Sequence, residues 1–236
     1  MIAAGTACGG DEGRFVSPRS CVTRWVVIAL WLCVVVLCFA KLAVYEQTPG
    51  FVGAPPNAAA TVIPIDRERH TLVLCVHPKC PCTQATIYEL ERLLRRCGEL
   101  PAVVVYIYES EESPESWYEH AAASIQTRIP DALIMRDPDG KVSESIGVYT
   151  SGSTVLYERN GSPVFWGGIT SSRGHAGDNL GSDSIHAILS DTRPPRYQTP
   201  VYGCAITSND SNELLGSCID THDELCPHRS AKEITQ

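Results

Sequence analysis

Two cysteines one residue apart, with a histidine just upstream, are the residues of this chain best suited to chemistry. They lie in His77-Pro78-Lys79-Cys80-Pro81-Cys82-Thr83. Proline is favoured at the first position of a helix, where its missing N–H costs nothing. The spacing therefore predicts Cys80 at the N-cap, Pro81 at N1 and Cys82 at N2. Both sulfurs would then face unpaired backbone N–H groups and the positive end of the helix, which favours thiolate over thiol. Lys79 is expected to add a positive charge alongside. A low-pKa thiolate with a second sulfur close by is the requirement for thiol–disulfide exchange. In that reading Cys80 attacks and Cys82, set deeper, resolves. A ring closed across one residue is tight, and strain makes a disulfide easier to reduce. No bound organic cofactor is implied. The alternative is metal: His77, Cys80 and Cys82 form a compact soft donor set suited to copper or zinc, with a further ligand from His175 or Cys204. A third reading leaves the pair inert.

The chain has eleven cysteines in 236 residues. The count is odd, so at least one thiol stays free or pairs with another chain. Cys75 and Cys97 fall in apolar patterns and read as packing residues. Cys204, Cys218 and Cys226 come late; Cys204 is a candidate third redox thiol or metal ligand, and Cys218 with Cys226 a candidate pair. A glycine-rich stretch from Gly167 to Gly181 carries Arg173, His175 and Asp178. These are expected to face the cysteines and to bind an anion, a substrate peptide or a metal. Its glycines match no dinucleotide or phosphate-loop signature.

The elements that must position this chemistry follow from periodicity. Thr71–Val76 is a short run of β-formers and predicts a buried strand. Thr83–Cys97 has apolar residues at Ile87, Leu90, Leu93 and Leu94, a helical spacing, with Arg95 and Arg96 in the last turn and Gly98 as the stop. Ala102–Tyr108 is a second buried strand, so the first two strands should be parallel with a right-handed crossover. A second helix is expected from Ser113 to about Gln126, a third strand at Ala132–Arg136, and a short helix at Lys141–Gly147. Arg159-Asn160-Gly161 predicts a hairpin between Ser153–Glu158 and Pro163–Trp166. A last helix at Ile185–Leu189 should be capped by Ser182 or Asp183. The order β-α-β-α-β-(α)-β-β-α is an α/β sandwich over residues 70–190.

Ahead of it, Trp25–Ala40 is free of charge. Extended to Tyr45, the run spans roughly 31 Å as a helix, about one hydrocarbon core. Trp25 and Tyr45 sit at aromatic-belt positions and Lys41 can snorkel. A cleaved signal peptide is the rival, but its apolar region is usually 7–15 residues and its cleavage site small, which Cys38-Phe39-Ala40 serves poorly. A single transmembrane helix at 25–45 is therefore expected, with Cys33 and Cys38 as lipid-facing thiols. Arg14, Arg19 and Arg24 precede it, whereas the part from Glu46 onward carries 25 of the 27 acidic and 15 of the 19 basic residues. The basic flank predicts residues 1–24 in the cytoplasm and the remainder exported, where disulfides can form. The net charge of −8 argues against a nucleic-acid partner. Residues 46–69, rich in Pro, Gly and Ala, read as a spacer, and 191–236 as a polar C-terminal tail that wraps back or frays.

From Thr71 to Leu189 the chain resembles thioredoxin-like proteins, in particular the membrane-anchored group of exported thiol–disulfide oxidoreductases and peroxiredoxin relatives. The resemblance is carried by the strand ending in a cysteine turn, by Asp137–Val148, by Ser153–Gly161 and by Pro163–Gly168. More narrowly, VHPKCPCT with TSGSTVLYERNGSPVFWGGITSSRGHAGDN and TPVYGC is similar to bacterial proteins labelled RedB. The family implies catalysis by Cys80 and Cys82 on exported protein thiols or disulfides, with electrons exchanged with a separate donor or acceptor. It implies substrate docking near Gly152, with Arg173 and His175 alongside. Two positions depart from the family: it usually has two residues between the cysteines, and a cis-proline where Gly152 stands here.

Overall fold

A computed structural model describes residues 18–58 and 61–206. They fall into two compact units, divided between Gln47 and Thr48. The first contains helix α1 (Pro18–Gln47), which is longer than the expected span at both ends. Its stretch Val22–Gln47 contains an 18-residue window with a mean hydropathy of 2.7 and is long and apolar enough to cross a membrane. Its apolar side chains from Val22 onward, Cys33 and Cys38 included, are exposed apart from the half-buried Val35.

The second unit is the expected α/β sandwich. Its elements are β1 (Thr71–Val76), α2 (Thr83–Arg96), β2 (Ala102–Glu109), α3 (Glu115–Arg128), β3 (Leu133–Pro138), α4 (Lys141–Ser145), β4 (Ser153–Tyr157), β5 (Pro163–Gly168) and α5 (Leu180–Leu189). One sheet has the order β3-β2-β1-β4-β5. Strands β1, β2 and β3 run parallel, β4 pairs antiparallel with β1, and β5 pairs antiparallel with β4. This is a thioredoxin-like arrangement. The central strand β1 is buried at all six positions, which its apolar run requires.

Alternation along the strands divides the core in two. Leu72, Leu74 and Val76 pack with Ile87, Leu90 and Leu93 of α2, Ile125 of α3, and Ile185 and Leu189 of α5. Val73 and Cys75 face the other way, with Val104, Tyr106, Val155 and Tyr157. That second face is roofed by Ile146 and Val148 after α4, by Ile206, and by Ala58 and Ile63.

Ala58 and Ile63 belong to the stretch read as a spacer, and this corrects that reading. The Gly50 N–H donates to Val201 O (2.8 Å), the Gly53 N–H to Gly147 O (3.0 Å) and the Ala58 N–H to Gly161 O (2.8 Å). The apolar residues of the segment cover a sheet face that would otherwise stay wet. The tail takes the wrapping alternative up to Ile206. It returns along β5 and over the cysteine end of the sheet, with Thr199 N–H on Trp166 O (3.3 Å) and Gly168 N–H on Pro200 O (3.2 Å). Cys218 and Cys226 lie outside the described residues. The cap of α5 is neither Ser182 nor Asp183 but Asn179, whose side-chain oxygen accepts the Ser182 N–H at 2.8 Å.

Candidate active site: three thiols at the start of α2

The cysteine turn follows β1 directly, but its register differs from the expected one by two residues. The Thr83 N–H closes a turn on Cys80 O (3.1 Å), and the first helical bond runs from the Thr86 N–H to Cys82 O (3.2 Å). Cys82, not Cys80, is the N-cap residue of α2. Pro81 thus lies in a tight turn ahead of the helix, a form that helix starts commonly take. Cys80 still faces an N–H of this opening turn, because its sulfur accepts from the Cys82 backbone.

The two thiols are close enough to influence each other's ionisation. A third joins them: the Cys204 N–H donates to Cys80 Sγ at 3.4 Å, and the Cys204 side chain hydrogen-bonds the same sulfur. Cys80 and Cys82 are 4% and 6% exposed, whereas Cys204 is half-buried. Several contacts fix Cys204 in place. Its carbonyl accepts the Ser151 N–H (2.8 Å), and Ile206 N–H donates to Tyr149 O (2.9 Å). Arg173 donates to the Gly203 carbonyl. Position 203 must be glycine for this approach, since a Cβ there would lie 1.9 Å from Ser151 O.

Ser151 joins the turn to the returning segment. Its hydroxyl accepts the His77 N–H (2.9 Å), lies 3.2 Å from the Thr83 hydroxyl and hydrogen-bonds the Cys80 sulfur. Burial pushes the Cys80 thiol up. The Cys204 N–H and thiol, the Cys82 N–H and the Ser151 hydroxyl outweigh it and hold Cys80 below the ordinary thiol range. Burial, the Cys80 charge and the hydrogen bond with Cys80 push Cys82 up, against Arg173 and the Gly174 N–H. Burial, then Cys80 and the Cys82 charge, push Cys204 up to about 11, again opposed by Arg173. One sulfur is thus set to be the thiolate and its two neighbours to be thiols.

The other predicted residues divide. Arg173 reaches the cluster, and its loop brings the Gly174 N–H to Cys82. His175 is exposed and its Nδ1 is engaged with the Arg173 carbonyl (2.8 Å), so it is turned to its own loop. Asp178 pairs with Arg92 at 2.5 Å rather than facing the cysteines. Gly152 is buried beside Ser151 with φ +90°; its N–H is spent on Cys75 O (2.8 Å), and a Cβ would meet Thr86 Oγ1 at 2.9 Å. It packs the turn against α2, and no substrate can pair with an N–H already bound. Lys79 is not beside Cys80: its ammonium sits 4.4 Å from the centre of the Trp117 ring.

His77 is not aimed at the sulfurs as a ligand would be. Its Nδ1 accepts the Lys79 N–H (3.1 Å) and its ring stacks on Tyr108 at 5.2 Å. Burial pushes its pKa down, which keeps this acceptor neutral. Among the described residues, no three His, Cys, Asp or Glu side chains converge to hold a metal ion. The expected copper or zinc donor set of His77, Cys80 and Cys82, with His175 or Cys204 as a further ligand, is therefore not assembled, because both histidines are turned to other partners. Cys75 is inert packing, its thiol pushed up to about 12 by burial.

Sequence reading missed Ser151 and Glu89. Glu89 is 1% exposed in the middle of α2. It accepts the Gly177 N–H (2.8 Å) and Asn179 Nδ2 (3.3 Å), and Arg92 lies 3.5 Å away. It ties the Arg173 loop and the cap of α5 to the helix that carries the cysteines. The available signal was a charge between Thr86 and Leu93 in the buried stripe, since Glu is almost never buried unless paired. Replacing Glu89 with alanine is expected to cost about 2–4 kcal/mol, because it strips partners from buried donors. Amide hydrogen exchange should accelerate at 172–177, and unchanged protection there would refute this role.

No family model matches the chain. No curated protein matches it either. Solved structures do. A hypothetical protein of Sinorhizobium meliloti aligns with 16% identity and a TM-score of 0.51, over 70% of this chain and 98% of its own. An uncharacterized conserved protein of Geobacillus kaustophilus gives the same identity and TM-score, over 70% and 93%. The pneumococcal exposed lipoprotein thioredoxin of Streptococcus pneumoniae aligns at 15% identity and a TM-score of 0.39, over 53% and 86%. At these identities the likeness is one of fold, and the chemistry rests on the cluster itself.

Proposed function

We infer that the chain is a membrane-anchored thiol–disulfide oxidoreductase of the RedB-like group, acting outside the cytoplasm on exported proteins. The observation that carries this reading is the contact of Cys80 and Cys82 at the opening of α2, with N–H and O–H donors converging on the Cys80 sulfur. The Cys80 thiolate attacks one sulfur of a substrate disulfide, and the other leaves as a thiolate. Cys82 then loses its proton and attacks Cys80 in the mixed disulfide. The substrate's second sulfur leaves with that proton, and Cys80–Cys82 is the oxidised product. Two electrons pass to the substrate, and a separate dithiol must return them. Run backwards, the same steps oxidise a substrate dithiol. Because Cys80 is 4% exposed, a protein substrate reaches it only when the returning segment around Cys204 moves aside. Arg14, Arg19 and Arg24 ahead of the apolar run favour an anchor with its N-terminus in the cytoplasm.

The test is a redox titration of the full chain in detergent micelles against glutathione buffers, read by alkylating the remaining thiols. Disulfide formation involving Cys80, reversible and with two-electron stoichiometry, is the expected result. A Cys80 that forms neither an internal disulfide nor a mixed one with glutathione would overturn the reading.

A further inference from the structure

Cys82 is not the only sulfur within reach of Cys80. The returning segment places Cys204 against the same atom and is held there by Ser151, Tyr149 and Arg173. It also covers the pair, so that Cys204 is the most exposed of the three thiols. A cysteine on a loose tail would meet Cys80 by chance. This one is fitted, down to a glycine at position 203 that lets the backbone pass.

We propose that Cys204 is the outer member of a three-thiol relay, exchanging with the Cys80–Cys82 disulfide to give a Cys80–Cys204 disulfide that an external thiol can reach. The proposal rests on the exchange chemistry of Cys80 and Cys82 and concerns how the oxidised pair is recycled. The Cys204 thiol gives up its proton and attacks Cys80 Sγ. The Cys80–Cys82 bond breaks, the Cys80–Cys204 bond forms, and Cys82 takes the proton as a thiol. No electrons enter or leave. A donor thiolate then attacks the half-buried Cys204 sulfur and forms a mixed disulfide there. Cys80 leaves as the thiolate that its donors stabilise, and a low-pKa thiol leaves faster. A second donor thiol attacks the donor's sulfur in that mixed disulfide and releases Cys204. The dyad is thus re-reduced without a bulky donor having to approach the two covered sulfurs.

The experiment is disulfide mapping of the full chain in detergent, oxidised in a glutathione buffer, quenched in acid, and digested with trypsin and chymotrypsin. Cleavage after Tyr202 and Leu214 separates Cys204 from the other late cysteines. A linked Cys80–Cys204 peptide is expected in the wild type beside the Cys80–Cys82 form, and as the dominant internal disulfide of Cys82→Ser. Re-reduction of oxidised Cys204→Ser by a protein dithiol such as thioredoxin should be at least tenfold slower than that of the wild type. The relay is wrong if Cys80 pairs only with Cys82 and Cys82→Ser yields no Cys80–Cys204 link. That outcome leaves the exchange chemistry standing, whereas a Cys80 that forms no disulfide with either partner or with glutathione overturns both.

Discussion

Replacing Cys80 with serine abolishes disulfide exchange, with an expected loss of about 10³-fold or more, because a hydroxyl at neutral pH offers no counterpart to the thiolate. Cys82→Ser behaves differently. The first attack survives, but resolution falls to Cys204 alone, so a covalent complex with the substrate should outlast that of the wild type and accumulate fully once Cys204→Ser is added. A non-reducing gel separates the two cases. Equal residual turnover in both variants, or trapping by Cys80→Ser in place of Cys82→Ser, would reverse the assigned roles.

The second large effect belongs to a residue without a side chain. Gly203→Val puts carbon atoms where Ser151 O lies 1.9 Å from the position of a Cβ, so the returning segment must leave its seat. Cys80 then loses the Cys204 N–H and thiol that help hold its charge. Two changes are expected in alkylation with iodoacetamide. The midpoint pH for Cys80 rises toward the ordinary thiol value of about 8.5. The limiting rate at high pH increases at least several-fold, because the cover is gone. A variant that changes the rate without moving the midpoint would show that the segment shields Cys80 but does not tune it.

The pH dependence of folding has opposite contributions from the two thiols. The folded protein ionises Cys80 at lower pH than the unfolded chain, so in that window the unfolded chain binds more protons and stability rises with pH. The Cys80 contribution is complete above about 8.5 and is lost as pH falls through the depressed folded value. Cys204 runs the other way. Its raised value makes its contribution complete below about 8.5, and it is lost as pH rises through about 11.

The strand, cysteine turn and helix were legible because their signals are local. β1 is an unbroken apolar run, and α2 shows its buried stripe at Ile87, Leu90 and Leu93. The N-cap was misplaced because a proline two residues into a turn and a proline at N1 look alike in sequence. Only the Thr83 N–H on Cys80 O distinguishes them. The segment 46–69 was misread, and 191–206 left open between wrapping and fraying, for a different reason. Their ordering comes from long-range pairing, Gly50 with Val201 and Gln198 with Trp166, and neither segment has a helical or strand period. The same non-locality hid Ser151 and left Cys204 without a partner on paper. His175, Asp178 and Lys79 have the right chemistry and the right neighbourhood, yet each is satisfied by a nearer group. Composition places a residue in a loop but does not say which way it turns.

The central claim is that Cys80 is an activated thiolate in the folded protein, held by its surrounding donors. Its alkylation rate in the native full chain, followed against pH by mass spectrometry of the Cys80 peptide, tests this most directly. The expected midpoint lies below that of the same peptide in urea, with Cys82 and Cys204 titrating above it. A native Cys80 midpoint at or above the unfolded one would contradict the claim.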